Sequence, residues 1–152
     1  MSFPSMSPDD IPLLFRTSRR IRRGELRLFL EELSRRIMRG RTLSCLITTD
    51  AELRRLNQQF RGTNSATDVL SFPSGADNGF AGDLAISADR AKAQAAEHGH
   101  SIDNELRILM LHGALHLAGM DHETDSGEMA SAEARWRERL GLPGGLIERA
   151  AP

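Results

Sequence analysis

The chain has 152 residues, of which 39% are hydrophobic and 27% charged, and its net charge is −1. That size suits one domain with a packed core and excludes wholesale disorder. The near-neutral balance excludes a globally basic nucleic-acid binder, and no apolar run is long enough to cross a bilayer.

Residues 1–10, "MSFPSMSPDD", are rich in Ser and Pro and read as a flexible start, without the basic, apolar and small-residue steps of a signal peptide. "IPLLF" is predicted to be an edge strand, because Pro12 has no donor for a ladder. "RGELRLFLEELSRRIM" places Leu26, Phe29, Leu30, Leu33 and Ile37 at helical spacing, with Gly40 as its stop. "TLSCLITT" reads as a buried strand. Its Cys45 is the sole cysteine and cannot form an internal disulfide, so a core thiol in a reducing cytoplasm is the expectation. Asp50 is placed to cap the helix "AELRRLNQQF", which ends near Gly62. "DVLSF" is a short strand closed by Pro73, "PSGADNG" a loop, and "FAGDLAIS" another strand. Ser87 or Asp89 starts the helix "RAKAQAAEHG". Ser101 caps "DNELRILMLHGALHLA", with Asp103 and Glu105 at its positive end. This helix is apolar almost all round, so it is the central, buried one, and Gly119 ends it. "SGEMASAEARWRERL" is a final helix, followed by a tail over 141–152. Strands and helices alternate without strict order, which predicts a single α+β domain over 1–152. Its small mixed sheet has about four strands and packs against several helices.

Charge is uneven. Between Arg16 and Arg41 there are ten arginines against three glutamates. Such a run is either a solvated helix face or a surface that meets phosphates. His98 and His100 flank Gly99 at a helix end, where solvent or the helix dipole accounts for them, and Trp136 reads as a core anchor.

The most informative stretch is "HGALHLAGMDH", residues 112–122. Residues four apart on a helix share a face, so His112 and His116 can point at one atom. Gly119 permits a sharp turn that returns His122 as a third nitrogen. Three imidazoles with one open position describe a catalytic zinc site. The ligand spacing, with its glycine, is that of the metzincin proteases, but Gly113 stands where those enzymes carry the glutamate that activates water. Asp121 or Glu123 could orient a ligand histidine through its second ring nitrogen, and Asp121 could equally serve the turn.

A second stretch, "LNQQFRGTNSATDVLSFP" over Leu56–Pro73, sets Arg61 at a helix exit before a strand, where it is either a surface arginine or a bidentate partner for an anionic substrate. Together the two stretches resemble the YbeY family of bacterial rRNA-maturation endoribonucleases. The hallmark H-G-x-L-H-L-x-G-[YF]-D-H is found as "HGALHLAGMDH", and an L-N-x3-R element running into T-[DN]-V-L-S-F-P is found as the second stretch. "GDLAIS" is similar to the family's G-D-[IV] strand, and the resemblance runs from about Leu43 to Met129. Met120 replaces a usual aromatic, and Asn64-Ser65-Ala66 replace a usual Asp and Pro.

The resemblance implies a zinc-dependent, single-strand-specific endoribonuclease in rRNA maturation, near the 3′ end of small-subunit rRNA, and in ribosome quality control. One Zn2+ per chain would sit on His112, His116 and His122, so that His112 is both ligand and part of the catalytic set. Arg61 would neutralise charge on the reacting phosphate. The implied partners are rRNA, the small ribosomal subunit and ribosome-associated proteins in the cytoplasm, with no membrane and no DNA. Two rival readings keep the same ligands: a non-catalytic assembly factor with structural zinc, and a zinc hydrolase of peptides or small molecules.

Overall fold

The computed structural model describes residues 13–62, 67–75 and 78–143. Residues 1–10, Asn64-Ser65-Ala66 and all of the tail beyond Pro143 lie outside these. The elements are β1 (Leu13–Phe15), α1 (Arg23–Arg36), β2 (Thr42–Thr48), α2 (Asp50–Arg61), β3 (Val69–Pro73), β4 (Phe80–Ser87), α3 (Ala88–His98), α4 (Ile102–Leu117) and α5 (Glu128–Arg139). They form one small α+β domain around a four-stranded sheet of order β1-β2-β4-β3. β1, β2 and β4 run parallel, and β3 is antiparallel to β4 at the far edge. The sheet is mixed and β1 is an edge strand, as expected.

Strand alternation divides the core in two. Leu43, Cys45 and Ile47 of β2 join Leu84 and Ile86 of β4 against α1 and α4. Leu46 and Ala85, one residue out of step, face Leu53 and Leu56 of α2 on the other side. Cys45 is 1% exposed and burial pushes its thiol far up, so it is an inert core residue. Leu142, assigned to the tail from sequence, is buried in the larger core. Helix α4 is the central helix, packed against α1, α3, α5, β3 and β4.

Local chemistry refines the expectation at the starts of α2 and α4. Thr49, not Asp50, caps α2, its side chain accepting from the Glu52 amide at 3.2 Å, and Asp50 is already the first helical residue. Asp103 and Glu105 lie in the first turn of α4 as expected, and Asp103 also reaches across to accept the Arg22 amide at 2.8 Å, joining the start of α1 to α4. Glu105 is fully buried and takes a hydrogen bond from His100 Nε2 at 2.6 Å, so His100 is tied to α4 instead of solvent.

The arginine run also splits. Arg16, Arg19, Arg22 and Arg36 form ion pairs with Glu52, Asp89, Glu25 and Glu32. Arg23 and Arg27 lie over the Phe15 ring. Half-buried Trp136 packs against the core and also holds Arg36 and Arg139 over its ring, each 5.3 Å from the centroid. Arg23, Arg27 and Arg36 thereby tie α1 to β1 and α5, while Arg16 and Arg19 tie the segment before α1 to α2 and α3.

Candidate metal centre

The last turn of α4 builds the site. His112 and His116 stack one turn apart, with ring centroids 4.8 Å apart. The helix then ends in a Schellman-type turn: the Met120 amide bonds the Leu115 carbonyl at 3.1 Å and the Gly119 amide bonds the His116 carbonyl at 2.9 Å. Gly119 takes a φ of +97°, a region that suits glycine. Beyond it Asp121 organises a second turn. Its carboxylate accepts the Glu123 amide at 3.0 Å and its carbonyl accepts those of Thr124 and Asp125. His122, held between these turns, comes back to 5.5 Å from His112 and 5.7 Å from His116, centroid to centroid. The three rings offer nitrogens that all lie within 4.8 Å of one another.

Hydrogen bonds decide which nitrogens remain available. His112 Nδ1 donates to Glu133 Oε2 at 2.8 Å, and His116 Nδ1 donates to the Met120 carbonyl at 2.9 Å. A carbonyl oxygen and an ionised carboxylate only accept, so opposite these partners each Nδ1 carries the proton and each Nε2 keeps its lone pair. Burial, reinforced by His112 and then His122, holds the His116 ring below the ordinary histidine value, despite the opposing Met120 hydrogen bond and Asp121 charge. A neutral imidazole is the form that binds a metal. The donor set, three nitrogens with two orientations locked from behind, fits a zinc ion.

The residue that sequence reasoning missed is Glu133. Neither Asp121 nor Glu123 orients a ligand through a hydrogen bond: Asp121 serves the turn, and the orienting carboxylate comes from the middle of α5. Glu133 has 0% exposure, and Asp125 helps place it by capping the start of α5, accepting the Met129 amide at 2.8 Å. A buried acid on an otherwise amphipathic helix was the available signal. We expect Glu133→Gln, which keeps the shape and loses the charge, to weaken metal affinity by roughly ten- to hundredfold. Competition with a chromogenic chelator measures this, and unchanged affinity would remove Glu133 from the site.

Gly113 has a packing role. A Cβ there would lie 2.6 Å from Leu84 Cδ2 and 3.3 Å from Ser71 Oγ. The helix rests on the sheet at this point, so a glutamate side chain of the metzincin kind has no room. Gly113→Ala should destabilise the fold by about 1–2 kcal/mol, the overpacking cost less the gain in helix propensity. Denaturant unfolding reads it, and a stabilised variant would refute the tight approach.

The histidines line one wall of a cavity of about 470 Å³. Edge strand β3 forms the facing wall through Val69, Ser71 and Pro73, and exposed Arg61, the last residue of α2, joins the lining with Asp68. Asn57 lies inside α2 and is buried, so the helix continues to Arg61. The structure thus brings Arg61, His112 and His116 to one cavity and gathers His122 beside them.

Residues 17–141 match the family model described as endoribonuclease YbeY, a longer span than the motifs alone suggested. A Solibacter usitatus protein named endoribonuclease YbeY is 55% identical over 144 residues, covering 94% of this chain and 97% of the relative. A Koribacter versatilis protein of the same name is 60% identical over 104 residues, 68% of each chain. The solution structure of a Thermotoga maritima protein superposes with a TM-score of 0.58 at 27% identity, covering 85% of this chain and 89% of that one. With the histidine cluster, the cavity and these relatives in agreement, the chain belongs to the YbeY family of endoribonucleases.

Proposed function

We propose that this protein is a zinc-dependent, single-strand-specific endoribonuclease that matures rRNA near the 3′ end of the small-subunit RNA and serves ribosome quality control in the cytoplasm. Its partners are then rRNA and the small ribosomal subunit. The observation that carries this reading is a cluster of three imidazoles, two of which line a cavity that Arg61 also lines. Among the described residues no helix is long and apolar enough to cross a membrane.

His112, His116 and His122 would hold the ion, which when bound supplies Lewis-acid polarisation of a phosphate oxygen or water. Glu133 and the Met120 carbonyl keep two rings aimed at it without reorganisation. The Arg61 guanidinium binds the phosphate and offsets negative charge that grows as the bond to phosphorus forms. Among the described residues no fourth side-chain donor joins the three histidines, which suits an open site better than a closed structural one.

Purified protein incubated with labelled single-stranded RNA and with casein, with and without chelator, tests the reading. Chelator-sensitive RNA cleavage is the expected result. Intact RNA with tight binding to small subunits would make the protein an assembly factor, and casein cleavage would make it a peptidase.

A further inference from the structure

We infer that Phe60, backed by Phe72, is a stacking platform for an unpaired base of the RNA whose phosphate enters the cavity. The inference rests on the endoribonuclease reading and adds a substrate-binding site to it.

Phe60 is 45% exposed, one of two large hydrophobic residues so exposed among the described residues. It continues the apolar stripe of α2, Leu53-Leu56-Asn57, by one more turn. Leu53 and Leu56 are covered by the sheet, whereas Phe60 reaches the Phe72 ring, with centroids 5.5 Å apart and planes at 66°. That edge-to-face contact fixes the Phe60 ring while much of its surface meets solvent.

Position gives the pair its meaning. Phe60 immediately precedes Arg61, which lines the cavity. Phe72 lies between Ser71 and Pro73, which line it from β3. Successive residues of a strand point to opposite faces, so Phe72 faces α2 while its neighbours face the histidines. β3 is the last strand of the sheet, so a chain leaving the cavity over that edge passes the aromatic pair. Charge also suits a polyanion: from Arg54 to its end α2 carries Arg54, Arg55 and Arg61 and no acid, with Arg55 paired to Glu52 one turn back at 3.0 Å. Asp83, cross-strand from Phe72, accepts a hydrogen bond from the Ser44 hydroxyl, and the carboxylates of Asp68, Asp121 and Glu123 belong to the cavity lining. A base held in a duplex cannot lie on an isolated ring, so the platform selects single strands.

The test uses Phe60→Leu, which keeps apolar packing and removes the π face, and Phe60→Trp, which enlarges it. The probes are a fluorescent single-stranded oligoribonucleotide, the same strand in a duplex, and an abasic strand of equal length and charge. Phe60→Leu should bind the single strand about tenfold more weakly, the worth of one stacked base, and Phe60→Trp at least as tightly as the wild type. Both should match the wild type on the abasic strand and retain metal. Equal binding of the single strand by all three proteins, or an equal loss on the abasic strand, overturns the platform and leaves Phe60 a packing residue. A wild-type protein that neither binds nor cleaves the single strand overturns the endoribonuclease reading and the platform with it.

Discussion

A His116→Ala protein folds, loses its metal and loses RNA cleavage. The ring is half-buried and its Nδ1 hydrogen bond goes to the carbonyl of Met120, so its removal opens no deep cavity and strands no buried charge. His112→Ala is the poorer test, because it would leave Glu133 fully buried without its imidazole partner. Closed zinc sites are worth roughly 10–16 kcal/mol over four ligands, so one ligand carries on the order of 3 kcal/mol, about two decades of affinity. Metal content after dialysis, circular dichroism and RNA cleavage read the three parts of the outcome. A variant that keeps stoichiometric metal and full cleavage would dismantle the centre. Acid should act on the same residue in a defined direction. Burial favours the neutral ring, so in the metal-free protein His116 titrates below the ordinary histidine range, visible in the NMR shifts of its ring protons. Since only the neutral ring is a ligand, His116 stays competent to lower pH than a free imidazole would.

The second large effect belongs to Arg61. Arg61→Ala should fold and hold metal as the wild type does, and cleave RNA about a hundred- to a thousandfold more slowly, the usual cost of removing a preorganised charge partner from a reacting centre. Its side chain is exposed at the end of α2, so stability should change little. Arg61→Lys restores charge without the bidentate fork and should recover only part of the rate. Wild-type cleavage by the alanine protein, at equal metal content, would take Arg61 out of the reaction.

The histidine cluster was legible because its geometry is local. One helical turn relates His112 to His116, and a single glycine with positive φ returns the chain to His122. The buried character of α4 was legible for a similar reason, since its apolar residues circle the whole helix. Thr49 and Asp50 show the limit of such reading. Both residue types cap helices, and the choice depends on where β2 releases the chain, which neighbouring letters do not encode. The arginine run shows it again: composition counted the charges, but their partners Glu52 and Asp89 belong to other elements.

Residue order alone carried the ligand trio, the α+β class and the likeness to one family, because each depends on periodicity or on contiguous motifs. Packing assigned the rest. Glu133 stands behind His112 because α5 lies against α4, and Arg61 shares a cavity with His112 and His116 because α2 and α4 both pack against β3. Gly113 is small because Leu84 and Ser71 leave no space for a Cβ. These relations join segments far apart in the chain. Burial and steric fit between elements create them, and no local pattern of side chains specifies such fits in advance.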